Sequence, residues 1–270
     1  MNYHMSQINQ VLTIAGSDSS GGAGIQADIK TVTMLENYAA SVITAVTAQN
    51  TQGVRGVSML DGEFVKEQLE TILNDLDIKA IKTGMLGTSE IIEIIASIVE
   101  DRELENLVVD PVMVATSGDR LLDVEAEDLL KARLLPLATV VTPNIEEAKV
   151  LIDREVSSPE DMEYAAKQIS QLGPTAVLLK GGHSTGEEAV DLLYYDKEIH
   201  YLSAARINTT NTHGTGCTLS AAIASNLANG MEVVTAVKEA KDFITNALRN
   251  AKQIGRGNGP VNHLWKFDQK

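Results

Sequence analysis

Val11-Leu12-Thr13-Ile14-Ala15, then Gly16-Ser17-Asp18-Ser19-Ser20-Gly21-Gly22-Ala23-Gly24, then Ile25-Gln26-Ala27-Asp28, is the stretch from which the fold can be read. Val11–Ala15 has the continuous apolar character of a buried strand, and Ala23–Leu35 has the pattern of a helix. Between them lies a connection with four glycines. Glycine lets a backbone turn sharply and approach a ligand closely. In open α/β sheets ligands gather beyond the carboxyl ends of strands, where this connection falls. It is not a Walker A loop, because Gly22 and Ala23 stand where Lys and Ser or Thr would follow Gly21. Gly22-x-Gly24-x-x-Ala27 meets a relaxed dinucleotide fingerprint, but it starts late after the strand and no acidic residue follows about 20 positions on. A plain glycine-rich connection is the bland alternative.

Working outward, short apolar strands alternate with amphipathic helices. Strands are expected at Ser41–Val46, Ala80–Lys82, Leu107–Asp110, Thr139–Thr142 and Ala176–Leu179, with Pro143 ending the fourth. Helices are expected at Asp61–Leu76, Ser89–Arg102 and Val124–Leu134, and from Ser158 to Leu172 with Ser158, Pro159 and Asp161 as cap, first-turn proline and capping-box acid. Such alternation predicts a mostly parallel sheet covered on both faces. Gln49–Leu60 reads as a flap or short hairpin, and Asp191–Tyr195 with Glu198–Leu202 as a hairpin around Asp196-Lys197. Gly216–Asn229 and Glu232–Lys252 read as helices. Met1–Gln10 is expected to be loosely ordered. No linker, repeat or low-complexity segment divides the chain, so residues 1–270 read as one domain.

A net charge of −15 over 270 residues argues against a nucleic-acid surface, and an aromatic content of 4% against stacking platforms. A protein this acidic holds a polyphosphate only with backbone N–H groups, a few placed lysines and metal ions. The single cysteine, Cys217, excludes an internal disulfide and fits a reducing compartment. Without a basic leader or a membrane-length apolar run, a soluble cytoplasmic location is expected, with no membrane partner.

Asn211-Thr212-His213-Gly214-Thr215-Gly216-Cys217-Thr218-Leu219 runs into a small-residue helix. Gly214 and Gly216 allow consecutive N–H groups to converge on an anion at the helix N-terminus, suited to the charge on a transferring phosphoryl group. At that position Cys217 is expected to have a lowered pKa; a packing cysteine is the alternative. Lys180-Gly181-Gly182-His183 ends a strand, where a lysine reaches a phosphate as a point charge or is simply solvated. In Thr142-Pro143-Asn144-Ile145-Glu146-Glu147, Asn144 and Glu147 share a helix face and could approach one hydrated Mg²⁺, while helix capping by Asn144 explains it equally well. Asp110, in Val109-Asp110-Pro111-Val112-Met113, ends an apolar strand and needs a partner, a metal or a role; capping a turn is the bland reading. The histidines are scattered without zinc spacing.

In their order these motifs resemble the ribokinase-like kinases, in the branch that contains hydroxymethylpyrimidine/phosphomethylpyrimidine kinases and pyridoxal kinases. The resemblance runs from Leu12–Asp18 to Gly259-Pro260-Val261-Asn262-His263, through Gly21–Asp28, Ser41–Ala45, Ala48-Gln49-Asn50-Thr51 and Lys82-Thr83-Gly84-Met85-Leu86. It implies a three-layer α/β/α sandwich with a mostly parallel central sheet and a small β flap. It implies ATP and Mg²⁺ as cofactors, a small hydroxymethyl heterocycle as substrate, and a homodimer. Gly16, Asp28, Gln49, Met85 and Val112 would line the substrate pocket, with the Gln49 amide reading the ring nitrogen and amino group. Lys180, Asn144, Thr215 and the Gly214–Cys217 nest would hold ATP, and Asp110, Asn144 and Glu147 would organise Mg²⁺ through water. Cys217, with Gly214, Thr215 and Gly216, would form the catalytic centre; related sugar kinases carry an Asp there as general base. Phosphorylation of hydroxymethylpyrimidine and then its monophosphate is the expected activity, favoured over pyridoxal by Gln49 and the Gly-Thr-Gly-Cys run. A pyridoxal/pyridoxine kinase or a dual-specificity enzyme is the alternative, followed by a non-catalytic ligand-binding paralogue.

Overall fold

The computed structural model describes residues 8–113, 122, 124–181 and 186–267. Its centre is one nine-stranded sheet in the order β3-β2-β1-β4-β5-β6-β7-β8-β9. The strands are β1 (Gln10–Asp18), β2 (Tyr38–Asn50), β3 (Gly53–Met59), β4 (Ile78–Thr83), β5 (Leu107–Val109), β6 (Val140–Val141), β7 (Ala176–Leu179), β8 (Glu188–Tyr195) and β9 (Glu198–Ala205). From β2 to β7 the pairings are parallel. The edge strand β3 and the terminal pair β8–β9 run antiparallel to their neighbours.

Apolar continuity in the parallel strands follows from burial on both faces. Val11, Leu12, Ile14 and Ala15 in β1 and all of β5, β6 and β7 are buried. Alternate side chains supply two cores. One, built on Leu12, Ile14, Ile81, Leu107 and Val109, packs under α2 (Gly62–Leu73), α3 (Ser89–Asp101), α4 (Val124–Leu129), α5 (Ile145–Ile152) and α6 (Pro159–Ser170). The other, built on Val11, Ala80, Val108 and Val140, packs under α1 (Gly24–Met34), α7 (Thr215–Ala228) and α8 (Val233–Arg249). The result is the three-layer α/β/α sandwich that the alternation predicts.

Local chemistry explains several boundaries. Thr88 caps α3 by accepting from Ile91 N–H, and Ser158 forms the expected capping box with Asp161. Asp196 and Lys197 take φ of 48° and 65°, the left-handed pair a tight hairpin turn requires, and they join β8 to β9. The flap expected at Gln49–Leu60 is the β2–β3 hairpin. α7 is buried from Thr218 to Leu227, so it is a helix without a polar face.

Three expectations change. Gly16, Ser17 and Asp18 belong to β1 rather than to the loop, because the strand continues past a register shift between Ala15 and Ser17. The helix expected over Val124–Leu134 turns into a π-helical stretch at Leu130–Leu134 and then a 3₁₀ turn. Of Met1–Gln10, residues 1–7 lie outside the described residues and Gln10 already pairs in β1.

Candidate active site

The carboxyl ends of β1, β4, β5, β6 and β7 deliver Gly16–Asp18, Lys82, Asp110, Asn144 and Lys180 to one side of the sheet. A cavity of about 670 Å³ opens there. β1 lies between β2 and β4, the point at which strand order reverses, where open α/β sheets bind ligands. The cavity has two ends, joined by the start of α7.

Gly16, Gln49, Met85, Val112 and Cys217 line the first end, together with Thr47, Val54 and Val57 of the flap. A Cβ on Gly16 would meet Met85 Cε at 2.6 Å, so glycine lets the Met85 side chain lie close against that strand. The Gln49 amide lies 3.1 Å from Thr47 Oγ1 and 3.4 Å from His213 Nε2. His213 Nε2 is in turn 2.8 Å from Asp18 Oδ2. Asp18 also accepts from Ser20, Gly22 and Ala23 N–H groups. Burial opposes its charge, yet the hydrogen bonds, that from His213 foremost, hold the carboxyl well below the usual range.

Asp28 is not part of this wall. It is fully buried behind it, where Lys82 Nζ donates at 2.8 Å and Thr13 Oγ1 at 2.6 Å to the same carboxylate oxygen. Burial pushes the Asp28 carboxyl up, and Lys82 pulls against that. Lys82 takes its place at the cavity wall. Burial alone would lower the ammonium's pKa, but the Asp28 charge, then Cys217 and Asp110, hold it above the usual lysine range.

At the junction of the two ends, Gly214 adopts φ 80° as the N-cap of α7. A Cβ there would run into the Gly22 carbonyl oxygen, so the two glycine-rich segments touch backbone to backbone. Thr215 Oγ1 donates to Thr212 O at 2.7 Å and tightens the turn. A Cβ on Gly216 would stand 3.5 Å from both Asp110 Oδ2 and Lys180 Nζ, which places the nest against that pair. Cys217 departs from its expectation: burial pushes the thiol up to about 11, against the pull of Lys82 and the Gly24 N–H. Proximity to a helix N-terminus does not offset desolvation beside two carboxylates.

Lys180 Nζ donates to Asp110 Oδ1 at 2.9 Å and lies 3.9 Å from Glu147 Oε2. Thr142 Oγ1 also donates to Asp110 at 3.1 Å. Burial works against the Asp110 charge, but Lys180 and Lys82 hold its carboxyl below the usual range. Burial pushes Glu147 up to about 7. Asn144 and Glu147 form a reciprocal capping box on α5: Glu147 N–H donates to Asn144 Oδ1 at 2.8 Å, and Asn144 N–H to Glu147 Oε2 at 2.7 Å. The capping alternative is thus realised, and both residues still line the cavity. Gly182 and His183, beyond Lys180, lie outside the described residues.

The second end is an apolar slot that sequence reasoning missed. Ala189, Ala204, Ile207, Leu219, Ile244 and Leu248 line it. At its inner edge Lys241 Nζ donates to Asp191 at 2.6 Å, and Asp191 accepts the Gly181 N–H at 2.9 Å. The signal was faint: Ile244 and Leu248, four apart on α8, read as ordinary core. Among the described residues, no helix is long and apolar enough to cross a membrane.

Residues 18–262 match the family model described as phosphomethylpyrimidine kinase. The chain is 50% identical to a hydroxymethylpyrimidine/phosphomethylpyrimidine kinase of Rhizobium meliloti, over 95% of this chain and 97% of that one. It is 49% identical to a thiamine biosynthesis bifunctional protein of Geobacter sulfurreducens over 94% of this chain, and spans 52% of that longer relative. A pyridoxal kinase of Bacillus subtilis, solved as an ADP complex, superposes with a TM-score of 0.90 at 39% identity, over 97% of this chain and 99% of that one. The ribokinase-like sandwich, the ordered motifs and these matches agree, and the chain belongs to the phosphomethylpyrimidine kinase family.

Proposed function

We propose that the chain, as one kinase domain, transfers the γ-phosphoryl group of ATP to 4-amino-5-hydroxymethyl-2-methylpyrimidine and then to the resulting monophosphate, in thiamine biosynthesis. The observation that carries the reading is the continuous cavity that joins the Gln49–Met85–Val112 wall to the Gly214–Cys217 nest and Lys180. A flat ring against Gly16 and Gln49 directs its hydroxymethyl oxygen toward the nest. Adenine occupies the slot lined by Ile244 and Leu248, and the triphosphate lies along Lys180 and the start of α7.

Phosphoryl transfer asks for positioning and charge neutralisation more than covalent help. The substrate oxygen attacks the γ-phosphorus, the bond to the β–γ bridging oxygen breaks, and ADP leaves. The nest N–H groups and Lys180 stabilise the charge that spreads over the transferring group. We assign receipt of the hydroxyl proton to Cys217; because burial keeps it a thiol in the free chain, this role requires ligand binding to lower its pKa. In the second step the nucleophile is already an anion, and no base is needed.

Among the described residues, Lys82, Lys180 and Lys241 each lie against an aspartate, so these three ammoniums bring little uncompensated charge to a triphosphate. Asp110 and Glu147, two carboxylates 2.9 and 3.9 Å from one ammonium, form a donor set that suits a hydrated Mg²⁺ better than a protein cage. Asp110, Asn144 and Glu147 would hold such an ion through water, and it would supply neutralisation of the phosphate charge. We place the enzyme in the cytoplasm as a homodimer.

A pyridoxal kinase reading is favoured by the Bacillus subtilis likeness. Purified chain with Mg-ATP and hydroxymethylpyrimidine, its monophosphate or pyridoxal, offered separately, tests both. Turnover of the first two with little on pyridoxal supports the assignment. Turnover of pyridoxal alone moves the chain to vitamin B6 salvage.

A further inference from the structure

We propose that His213 is a specificity-determining positioning residue: with Thr47 it fixes which way round the Gln49 amide is presented to the heterocycle. The proposal rests on the reading above, that Gln49 reads the pyrimidine edge. It adds the residues that touch the amide.

Proton bookkeeping decides the orientation. The Ser17 carbonyl oxygen, which can only accept, lies 3.0 Å from Thr47 Oγ1. Thr47 has a single hydroxyl proton, so Ser17 takes it and Thr47 Oγ1 is left as an acceptor. The Gln49 amide atom 3.1 Å from that oxygen therefore has to be a donor, the amide nitrogen. On the opposite side, Asp18 accepts N–H groups from Ser20, Gly22 and Ala23 as well as His213, which marks it as an ionised, acceptor-only carboxylate. His213 Nε2, 2.8 Å from Asp18 Oδ2, must then carry a proton whether the imidazole is neutral or charged. The other Gln49 amide atom is 3.4 Å from this N–H. A nitrogen there would set donor against donor, whereas an oxygen receives the weaker arm of the His213 proton.

As the structure has it, Oε1 faces Thr47 and Nε2 faces His213. Both neighbours, argued separately, select the reverse. The two arrangements have the same outline, so shape is indifferent and only the protons choose. Turned in this way, the amide keeps one free N–H and one free lone pair in a fixed order along the cavity wall. A 4-aminopyrimidine edge presents a ring-nitrogen acceptor beside an amino donor, and it matches that pair in one order only. A ring without the amino group makes no such demand, so the lock is a device for preferring the aminopyrimidine. Asp18 belongs to the device because it holds the proton on His213 Nε2.

The test uses Thr47→Val, His213→Ala and Gln49→Ala chains, each assayed with hydroxymethylpyrimidine and with the analogue that lacks its 4-amino group. KM for ATP is measured alongside. Thr47→Val and His213→Ala should each reduce the preference for the amino compound about tenfold through the heterocycle KM, the size of one lost hydrogen-bond match. Thr47→Ser, which keeps the hydroxyl, should restore it. KM for ATP should stay level in Thr47→Val, which is remote from the nest and also serves if His213→Ala folds poorly. Should Gln49→Ala abolish the preference while Thr47→Val and His213→Ala keep it, Gln49 reads the ring unaided and the lock is wrong. Should Gln49→Ala leave the preference intact, the underlying reading of Gln49 fails, and this proposal with it.

Discussion

Lys82 Nζ, at the cavity wall, lies 2.8 Å from Asp28 Oδ2 behind it, with only 1% and 0% of the two side chains exposed. Thr13 completes the contact from the neighbouring strand. Two charges this deep persist because each neutralises the other, and removal of one leaves the other buried and unpaired. Lys82→Met should therefore lower stability in urea by about 3–5 kcal/mol. Lys82→Met combined with Asp28→Asn should recover a large part of that loss. A single variant of unchanged stability, altered only in its heterocycle KM, would mean that the pair binds substrate rather than supporting the wall.

The state of Cys217 gives a chemical prediction. With the thiol pushed up to about 11, alkylation by iodoacetamide should be slow at pH 7–8 and climb only as the pH approaches that value. Cys217→Ala should cut the first phosphorylation more than the second, because only the first nucleophile carries a proton. Equal losses in both steps would remove Cys217 from the base role.

His263 makes a pH prediction for stability. It is buried against Thr218 at 3.0 Å, and burial, then the Lys30 charge, lowers its pKa to about 4 from 6.5. Between those values the unfolded chain binds a proton that the folded chain refuses, so stability falls as pH drops through 6.5 and levels off below 4. The full effect is roughly 3 kcal/mol, the free energy of a shift of this size. Urea midpoints at pH 7 and pH 5 should show the decline, and His263→Gln should flatten it. An identical slope in the variant would assign the acid sensitivity to other groups.

Much of the fold was legible because the physics is local. Val11–Ala15 announces a strand buried on both faces, Ser158 to Asp161 announces a capped helix, and Asp196-Lys197 announces a hairpin turn. Gly16–Asp18 read as loop because glycine and polar residues rarely extend a strand, and only the pairing with β2 across a register shift shows otherwise. The turn into α7 was legible from Gly214 and Gly216, because a glycine before a helix allows the left-handed N-cap that Gly214 adopts. Relations across the chain were not. Asp18 and His213 stand 195 positions apart, and nothing local in either pairs them. Burial was equally hidden: it moved Asp28 behind the pocket and reversed the direction expected for Cys217. The slot of Ile244 and Leu248 stayed invisible because apolar residues four apart on a helix look the same whether they cover core or ligand.

That slot supplies a further prediction. Leu248→Glu places a carboxylate where adenine would lie, and should raise KM for ATP about tenfold or more, since an unpaired charge resists burial. KM for the heterocycle should not move, because Leu248 is at the other end of the cavity. Parallel rises in both constants would show that the ends are not separate.

The most direct measurement of the central claim is a progress curve with Mg-ATP and hydroxymethylpyrimidine as the only acceptor, with products separated over time. The account predicts that the monophosphate rises and then falls as the diphosphate accumulates, with two ADP released per pyrimidine consumed. A curve that stops at the monophosphate would contradict the two-step assignment, and a chain that leaves the pyrimidine untouched would contradict the kinase reading of this site.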